Sequence, residues 1–449
     1  MRTTFLALAI CLSALTLNAA TYYVDDSGSD ANAGTISSPW RHIQYGVDQL
    51  AAGDQLYVRA GTYAEYVTVW GKTGTSAAPI YITAYPNELP VIDGTGTTSS
   101  NGVVVIGGDS AYIRFDGFDV RNGPNGGIYV YNANNLKIRW NEVHDNQSNG
   151  ISVTSSSSSA IGRTHHVLVE SNKVYRNVLN NSNRLETNTW QQALSCLKAT
   201  YVDIIGNYVY ENYGEGIDAI VSDYVNILGN KVYDNFSVNI YLDNAQYTKV
   251  DRNRIGCGWV TNATDYYRNS GPAIGIYAAN EWYTTQNPLT DLTITNNLVE
   301  RCRMGFGYSS SEYGGGLHNT VIANNAFYKS TDVLLYIPTD SNNVSDTTTV
   351  ANNIFYCRTG QNYAWAPATG ITYLTNNWYG GNANTHKAGT NDVMSDPLLV
   401  SAGGGDINDY KLTSTSPCIN AGTTLSTAVP ADYWQTARSG VYDIGLHEY

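Results

Sequence analysis

The chain has 449 residues, of which 14% are charged and 12% aromatic, and its formal net charge is −13. This acidic balance argues against a nucleic acid partner, because phosphate binding requires clustered lysine and arginine. It also makes a strongly anionic polysaccharide a less favoured substrate without excluding one, and a chain of this length can bury a large core.

The N-terminus has the features of a secretion signal. Arg2 gives a positive start, an apolar run extends from Phe5 to Leu17, and the small residues at 18–20 suit cleavage. The run is too short to span a bilayer, and no later segment is long and apolar enough to do so. We therefore predict a signal peptide over 1–20, a mature chain from about Thr21, bacterial-type secretion (extracellular or periplasmic) and no membrane contact.

The next segment, about 21–60, is predicted to cap one end of a solenoid. Solenoids need such caps, because an end coil would otherwise leave its apolar surface in water. Between Arg41 and Leu50 the sequence places Ile43, Val47 and Leu50 on one helical face. We expect a short helix there that covers the first coil.

The middle of the chain repeats the pattern apolar, any, apolar, two residues, Asn, any, apolar. Asn207, Asn230 and Asn253 follow one another at intervals of 23 residues. Apolar residues two apart mark short strands, and such gaps are too small for helical crossovers. Three short strands and three turns need about this many residues, so the pattern predicts an all-β solenoid, a right-handed parallel β-helix, with coils over about 61–385. Other copies centre on Asn141, Asn172, Asn297, Asn325, Asn353 and Asn377.

Stacked coils place the same turn position about 4.8 Å above the last, so each asparagine amide can bond to the next one along the stack. A β-sandwich or a propeller, the alternatives, would show hairpin turns and not identical asparagines at a fixed period. A second ladder is predicted at Asn146, Asn177, Asn212 and Asn235. An aromatic column is predicted at His166, Tyr201, Tyr224 and Tyr247.

The repeat fades towards the C-terminus, and 386–449 is predicted to wrap irregularly over the last coil. Nothing resembles a linker, so we expect one domain over 21–449. Cys257 and Cys302 fall near the same turn of consecutive coils, so a disulfide between them is plausible. Cys196 lies on the inward side of its strand and should remain a buried thiol.

Both ends of the chain carry motifs of a known superfamily. Tyr22-Tyr23-Val24-Asp25, Pro39-Trp40 and the segment from Asp54 to Tyr63 resemble the opening of secreted β-helix polysaccharide lyases and their relatives. Asp396-Pro397 and 443–449 are similar to the ending of bacterial β-helix proteins. The resemblance implies the fold and an action on carbohydrate, but this superfamily contains lyases, hydrolases, epimerases and binding proteins. The catalytic motifs of polygalacturonases are not found and those of pectate lyases cannot be placed, so no catalytic residue is carried over.

Carboxyl groups on neighbouring coils form the predicted active site. Asp218 and Asp243 are expected one outward position apart, with about 8 Å between their Cβ atoms. Two carboxylates at that separation suit an inverting glycoside hydrolase, in which one protonates the leaving oxygen and the other activates water. Glu215, set between two glycines, is the third predicted catalytic residue. We expect all three at the surface, on a face kept open by small residues at 127, 150, 193 and 216.

Polar and aromatic residues near these coils are predicted to bind the sugar, because aromatic faces fit the apolar faces of sugar rings while amides and acids bind hydroxyls. Lys198 and His165 are basic and could also serve a lyase. The predicted binding residues are Gln192, Asn239, Tyr241, Tyr129, Tyr131, Trp190, Lys198 and His165. Aromatic residues of the inserted loops either join them or pack the loops onto the body: Trp259, Tyr266, Tyr267, Trp282 and Tyr283.

Together these features predict a secreted enzyme that degrades a polysaccharide or oligosaccharide, with a glycoside hydrolase favoured. The alternatives are a calcium-dependent polysaccharide lyase that acts on a uronate polymer by β-elimination, and a non-catalytic carbohydrate-binding β-helix. No cofactor or metal site is predicted. Ca²⁺ remains possible at Asp25, Asp26 and Asp30, although these residues are equally ordinary in turns. We expect a monomer.

Overall fold

The computed structural model describes residues 19–98, 101–156, 161–185, 190–268, 271–281, 289–310, 315–338, 345–367 and 369–449. Within these ranges the chain coils into three sheets of 13, 12 and 11 strands, whose neighbouring strands pair in parallel. The predicted right-handed parallel β-helix is confirmed. The predicted signal peptide lies almost wholly outside the described residues. Among those described, no helix has the length and apolar character needed to cross a membrane.

Each full coil supplies one strand to sheet 3, then one to sheet 1, then one to sheet 2. Sheet 1 contains Thr21–Val24, Gln55–Val58, Ile80–Ala84, Ile113–Asp116, Asn134–Arg139, His165–Glu170, Thr200–Ile205, Asp223–Leu228, Lys249–Asp251, Thr293–Thr295, Val321–Ala323, Thr348–Ala351 and Ile371–Tyr373. Sheet 2 contains Thr62–Tyr63, Val91–Asp93, Asp119–Arg121, Glu142–His144, Lys173–Tyr175, Tyr208–Tyr210, Lys231–Tyr233, Arg254–Gly256, Leu298–Glu300, Ala326–Tyr328, Ile354–Tyr356 and Asn377–Tyr379. Sheet 3 contains Val67–Trp70, Gly102–Gly107, Gly126–Tyr131, Ile151–Thr154, Gln192–Leu197, Glu215–Ile220, Val238–Asp243, Ile274–Asn280, Met304–Ser310, Val333–Tyr336 and Ala364–Trp365.

A short helix, Ile43–Gln49, covers the first coil as predicted. Ile43, Val47 and Leu50 are all buried in the core. The carboxylate of Glu65 accepts hydrogen bonds from the backbone N–H groups of Ile43 (2.8 Å) and Gln44 (2.9 Å), which satisfies donors that the helix itself cannot use.

The first asparagine ladder runs along the inside of the turn between sheets 1 and 2. The amide nitrogen of Asn230 donates to the carbonyl of Ile204 (2.9 Å) and to Oδ1 of Asn253 (3.0 Å), and its own Oδ1 accepts from Asn207. The last member is Asn376, which bonds to Asn353 at 3.1 Å, so the predicted position Asn377 was wrong. Asn377 begins the following strand and its amide bonds to the C-terminal wrap.

Asn230→Ala is expected to lower the free energy of unfolding by about 1–3 kcal/mol, because it leaves buried backbone and amide partners on two neighbouring coils unsatisfied. Thermal and denaturant unfolding would measure the loss. Asn384→Ala is a matched control, because Asn384 is exposed on the surface. An unchanged melting temperature for Asn230→Ala would count against a stabilising ladder.

The second asparagine ladder explains the small residues in sheet 3. A Cβ at Gly127, Gly150 or Gly216 would lie 2.9–3.0 Å from the side-chain nitrogen of a ladder asparagine. These positions therefore face the interior, and the prediction that they open the outer face was wrong. Asn239 stands at the same position in the next coil, where it is fully buried and accepts a hydrogen bond from Asn235 at 2.9 Å. It ends the ladder and does not reach the surface where it was predicted to bind substrate.

The aromatic loop residues pack onto the body where the structure describes them. Trp259 stacks on Tyr233 with ring centroids 5.1 Å apart and fills the space beside Gly256, where a Cβ would collide with its ring. Tyr266 and Tyr267 are buried, and the Tyr267 hydroxyl bonds to Asp234. Trp282 and Tyr283 lie outside the described residues.

The cysteine predictions are confirmed. Cys257 and Cys302 form a disulfide between consecutive coils. Cys196 is a free thiol in the core, and burial raises its pKa to about 12.

After the last strand the chain wraps irregularly over the final coils, as predicted. Its regular segments are two short 3₁₀ helices, Ala383–Thr385 and Ile407–Tyr410; earlier 3₁₀ turns occur at Leu179–Asn181 and Ala263–Asp265. The wrap is fixed by buried polar contacts, such as the Tyr410 hydroxyl, which donates to Glu300 at 2.7 Å. The assignment of 21–449 to one domain stays a prediction.

Candidate active site

The outer face of sheet 3 contains a cleft of about 710 Å³. Its floor is built from three columns of outward side chains, which are aligned along the stack of coils. The first column contains Gln192, Glu215, Val238, Ile274 and Met304; the second contains Asp218, Tyr241, Tyr277 and Tyr336; the third contains Ile220, Asp243 and Ser309. The rest of the lining is Trp190, Ser237, Arg268, Glu281 and Arg303.

The register of the strands places Asp218 and Asp243 as predicted. Asp218 pairs with Tyr241, and Asp243 pairs with Ile220 on the coil below. The two carboxylates are therefore one outward position apart on neighbouring coils, which corresponds to about 8 Å between their Cβ atoms.

Glu215 reaches the same floor because the strict alternation of the strand is broken next to it. Gly216 faces the second ladder and Ile217 faces the core, so two successive residues point inward. Glu215 and Asp218, three residues apart, consequently share the outer side. Their carboxyls lie within hydrogen-bonding reach of each other, with Asp218 as the donor.

The three carboxyls are buried at the bottom of the cleft, and the expectation that they lie at the surface was wrong. Glu215, Asp218 and Asp243 are only 4%, 0% and 2% exposed. Side chains from the loops and from later coils rise around them, so the floor of the cleft is shielded although the cleft itself is open.

Burial raises the pKa of both members of the Glu215–Asp218 pair. For Asp218 the negative charge of Glu215 adds to the effect of burial. Both oxygens of Asp218 are buried, and no donor from the other described residues reaches them. These shifts favour a state in which the two carboxyls share one proton.

The third carboxyl, Asp243, is also shifted towards its protonated form. Burial, together with the charges of Glu281 and Glu215, raises the pKa of Asp243 to about 8. A hydrogen bond from the backbone N–H of Glu281 acts in the opposite direction. At neutral pH the cleft thus contains a protonated carboxyl beside a pair that shares one negative charge.

Glu281 is a fourth carboxyl that the sequence analysis missed. It accepts a hydrogen bond from the Tyr241 hydroxyl at 2.7 Å, and its backbone N–H donates to Asn244 at 2.8 Å. Burial raises the pKa of Tyr241, so this phenol stays protonated as a donor. The insertion before strand Ile274–Asn280 interrupts the repeat, so the position of Glu281 relative to the other carboxyls could not be assigned from the sequence. Tyr277, by contrast, could have been found by continuing the column of Tyr241.

Two arginines bring positive charge to the cleft, and neither was predicted. The guanidinium of Arg268 lies over the Trp190 ring, 4.7 Å from its centroid. The Arg268 charge lowers the pKa of Glu215, against the larger effect of burial. Arg303, at the other end, lies 3.7 Å from Asp332.

The remaining predicted binding residues fall into three groups: those that line the cleft, those on the same face outside it, and those elsewhere. Trp190, Gln192 and Tyr241 line the cleft as predicted. Tyr129 and Tyr131 lie on sheet 3 in the columns of Asp218 and Asp243, stacked on each other at 5.8 Å. Tyr129 is three coils from Asp218, or about 14 Å along the axis, so it belongs to the same face but not to the cleft.

Lys198 and His165 are not brought to the cleft. Lys198 occupies the turn after strand Gln192–Leu197 with a φ of 52°, and it is absent from the cleft lining. His165 begins a strand of sheet 1, on another side of the β-helix, where its Nδ1 lies 2.8 Å from that of His166. Their predicted binding roles are therefore not carried into the proposed site.

Within the described residues, no group of three or more His, Cys, Asp or Glu side chains is arranged so that it could hold a metal ion. Asp25 accepts hydrogen bonds from the backbone and hydroxyl of Ser27. Asp30 accepts from the backbone N–H groups of Arg41 and His42. These two carboxylates act as turn and loop residues.

Comparison with known proteins places these features in a family context. The family model "Pel9A-like, right handed beta helix region" matches residues 22–254. Pectate lyase PEL9 of Emericella nidulans is 34% identical over 156 residues, 32% of this chain and 38% of that protein. An uncharacterized protein, YwoF of Bacillus subtilis, is 27% identical over 355 residues, 70% of this chain and 69% of its own length. The chain thus spans well under half of the Emericella protein.

A likeness among solved structures covers nearly the whole chain. The complex of XylC with xylose has a TM-score of 0.58 and 13% sequence identity, over 95% of this chain and 98% of that one. At this identity the likeness shows the fold alone. The family match includes Glu215, Asp218 and Asp243 and ends before Glu281.

Proposed function

This chain belongs to the Pel9A-like right-handed β-helix family, and we propose that it is a secreted, monomeric, carbohydrate-active enzyme whose catalytic centre is the carboxyl cluster of the sheet 3 cleft. Its substrate is a polysaccharide or an oligosaccharide. The reaction that the cluster supports best is glycoside hydrolysis. The observation that carries this proposal is the convergence of Glu215, Asp218 and Asp243 on the floor of one open cleft, with raised pKa values.

The protonation states suggest how the roles divide. Asp243 keeps its proton up to a pKa of about 8, so it suits the general acid that protonates the leaving oxygen. The Glu215–Asp218 pair carries one negative charge and suits the base that takes a proton from water. The separation of about 8 Å between the Cβ atoms of Asp218 and Asp243 is compatible with room for that water on the opposite face of the sugar, as an inverting mechanism needs.

A polysaccharide lyase is the second candidate. The Emericella relative is named a pectate lyase, and Arg268 and Arg303 offer positive charge in the cleft. A lyase needs such charge to neutralise the uronate carboxylate before β-elimination. It would break the same bond without water and leave an unsaturated sugar at one new end.

Product analysis separates the two reactions. The protein is incubated with neutral and uronate polysaccharides while reducing ends and near-ultraviolet absorbance are followed, with and without a chelator. For a hydrolase we expect new reducing ends, no rise in absorbance and no effect of the chelator. A rise in absorbance that the chelator abolishes would instead identify a calcium-dependent lyase.

A further inference from the structure

Sheet 1 contains a second groove of about 640 Å³, on a different side of the β-helix from the cleft. One wall is a column of stacked rings, whose centroids are 5.0, 4.9 and 4.7 Å apart. The column contains His166, Tyr201, Tyr224 and Tyr247. The floor includes Arg114, Lys137, Leu168, Asp203 and Asn226, which follow one another on successive coils.

The three tyrosines of this column are exposed to an unusual degree for stacked rings. Tyr201, Tyr224 and Tyr247 are 49%, 43% and 46% exposed. All three have positive φ angles of 49–55°, a backbone conformation that is unfavourable for bulky residues. None of their hydroxyls bonds to another residue in the described part of the chain.

A second aromatic stack in the same protein shows what a purely structural stack looks like. On sheet 2, Tyr175, Tyr210 and Tyr233 are stacked 5.0–5.1 Å apart. Cations lie over its rings: Arg176 over Tyr175 at 5.0 Å and Lys231 over Tyr233 at 5.2 Å. Its rings are half-buried, whereas no cation of the described chain covers the tyrosines of the sheet 1 column.

Two cations lie side by side at one end of the groove. Arg114 and Lys137 are register partners on neighbouring strands, an arrangement that disfavours the sheet because like charges face each other. Neither forms an ion pair within the described residues. Burial raises the pKa of the nearby Asp116, which is already held by Arg139 through bonds of 3.1 and 2.6 Å. The groove thus offers two cations that have no ion-pair partner among the described residues, although the chain as a whole is acidic.

We propose that this groove is a second, non-catalytic binding site for an acidic polysaccharide. The polymer lies along the helix axis, with sugar rings against the tyrosine column and its carboxylate or sulfate groups at Arg114 and Lys137. Because the tyrosines repeat at each coil, a polysaccharide that lies along the helix axis passes one phenol ring every 4.7–4.9 Å. Asp203, bonded to Asn226 at 2.8 Å, can accept hydrogen bonds from sugar hydroxyls. The site rests on the proposed function, since it would hold the enzyme on the polymer that the cleft degrades.

Affinity electrophoresis in gels that contain polygalacturonate, with gels that contain xylan for comparison, tests the site. The parent for every variant is Asp218→Asn, so that the polymer is not cleaved during the run. Tyr201→Ala with Tyr224→Ala should weaken retention on polygalacturonate about tenfold, because two aromatic contacts are removed. Arg114→Ala with Lys137→Ala should abolish the salt-sensitive part of that retention and leave retention on xylan unchanged.

Tyr210→Ala, from the structural stack on sheet 2, is the matched control and should lower the melting temperature without changing retention. Retention on polygalacturonate that is unchanged in both groove double variants would overturn the proposal. The cation variant keeps the test valid if the tyrosine variant fails to fold. Because binding is measured without turnover, a wild-type protein without activity would overturn the proposed function and still leave this binding result interpretable.

Discussion

Asp218→Asn is expected to lower activity by a factor of about 10²–10⁴ and, at neutral pH, to raise the melting temperature. Activity falls because the amide cannot share a proton with Glu215. Stability rises because burial raises the pKa of Asp218 well above that of an unfolded carboxyl, so folding at neutral pH requires this group to take up a proton that the unfolded chain has released. The amide keeps the shape of the side chain and needs no proton, so this cost is absent in the variant.

The same reasoning extends to the other two carboxyls. Glu215→Gln and Asp243→Asn should each lose activity by a similar factor, and initial rates at saturating substrate would measure the loss. Glu142→Gln is the control: Glu142 is a partly exposed carboxyl on sheet 2, paired with Lys173 at 2.7 Å, and its loss should leave rates unchanged. Full activity in all three cleft variants would remove this cluster as the catalytic centre.

The relative positions of the carboxyls along the β-helix could be predicted from the sequence, because the repeat fixes the register of the strands. Once the asparagines are aligned, Asp218 and Asp243 must fall on adjacent coils, and the strand pairing confirms that they do. The aromatic column and the Cys257–Cys302 disulfide follow from the same alignment. The position of a residue along the axis of the β-helix can therefore be predicted wherever the repeat is not interrupted.

Depth and side-chain direction could not be predicted in the same way. Alternation assigned Gly216 and Asn239 to the outer face, but the chain bends at this corner and both residues point towards the second ladder. Trp190 and Arg268, which line the cleft together with the carboxyls, come from insertions that interrupt the repeat. The repeat predicts the strands and turns that all coils have in common, whereas the cleft is formed partly by loop residues that only some coils have.

The free energy of unfolding should fall as the pH rises from about 5 to 8. In the folded protein, burial raises the pKa of Glu215, Asp218 and Asp243 above the values that these groups have in an unfolded chain. Between the unfolded and the folded pKa, the native state therefore binds more protons than the unfolded state, so stability decreases with pH. Each retained proton contributes up to about 1.4 kcal/mol per pH unit in this window.

The amide variants identify which protons are responsible. Asp243→Asn cannot ionise, so its melting temperature should fall less steeply than that of the parent up to about pH 8, the pKa to which burial raises Asp243. His144 contributes a slope of the same sign, since hydrogen bonds to Asp119 and Asp145 outweigh burial and raise its pKa. Because His144 is intact in both proteins, its effect cancels in the difference between the two curves. Parallel curves for Asp243→Asn and the parent across pH 5–8 would mean that Asp243 is already ionised in the folded protein, and it could then not serve as the acid.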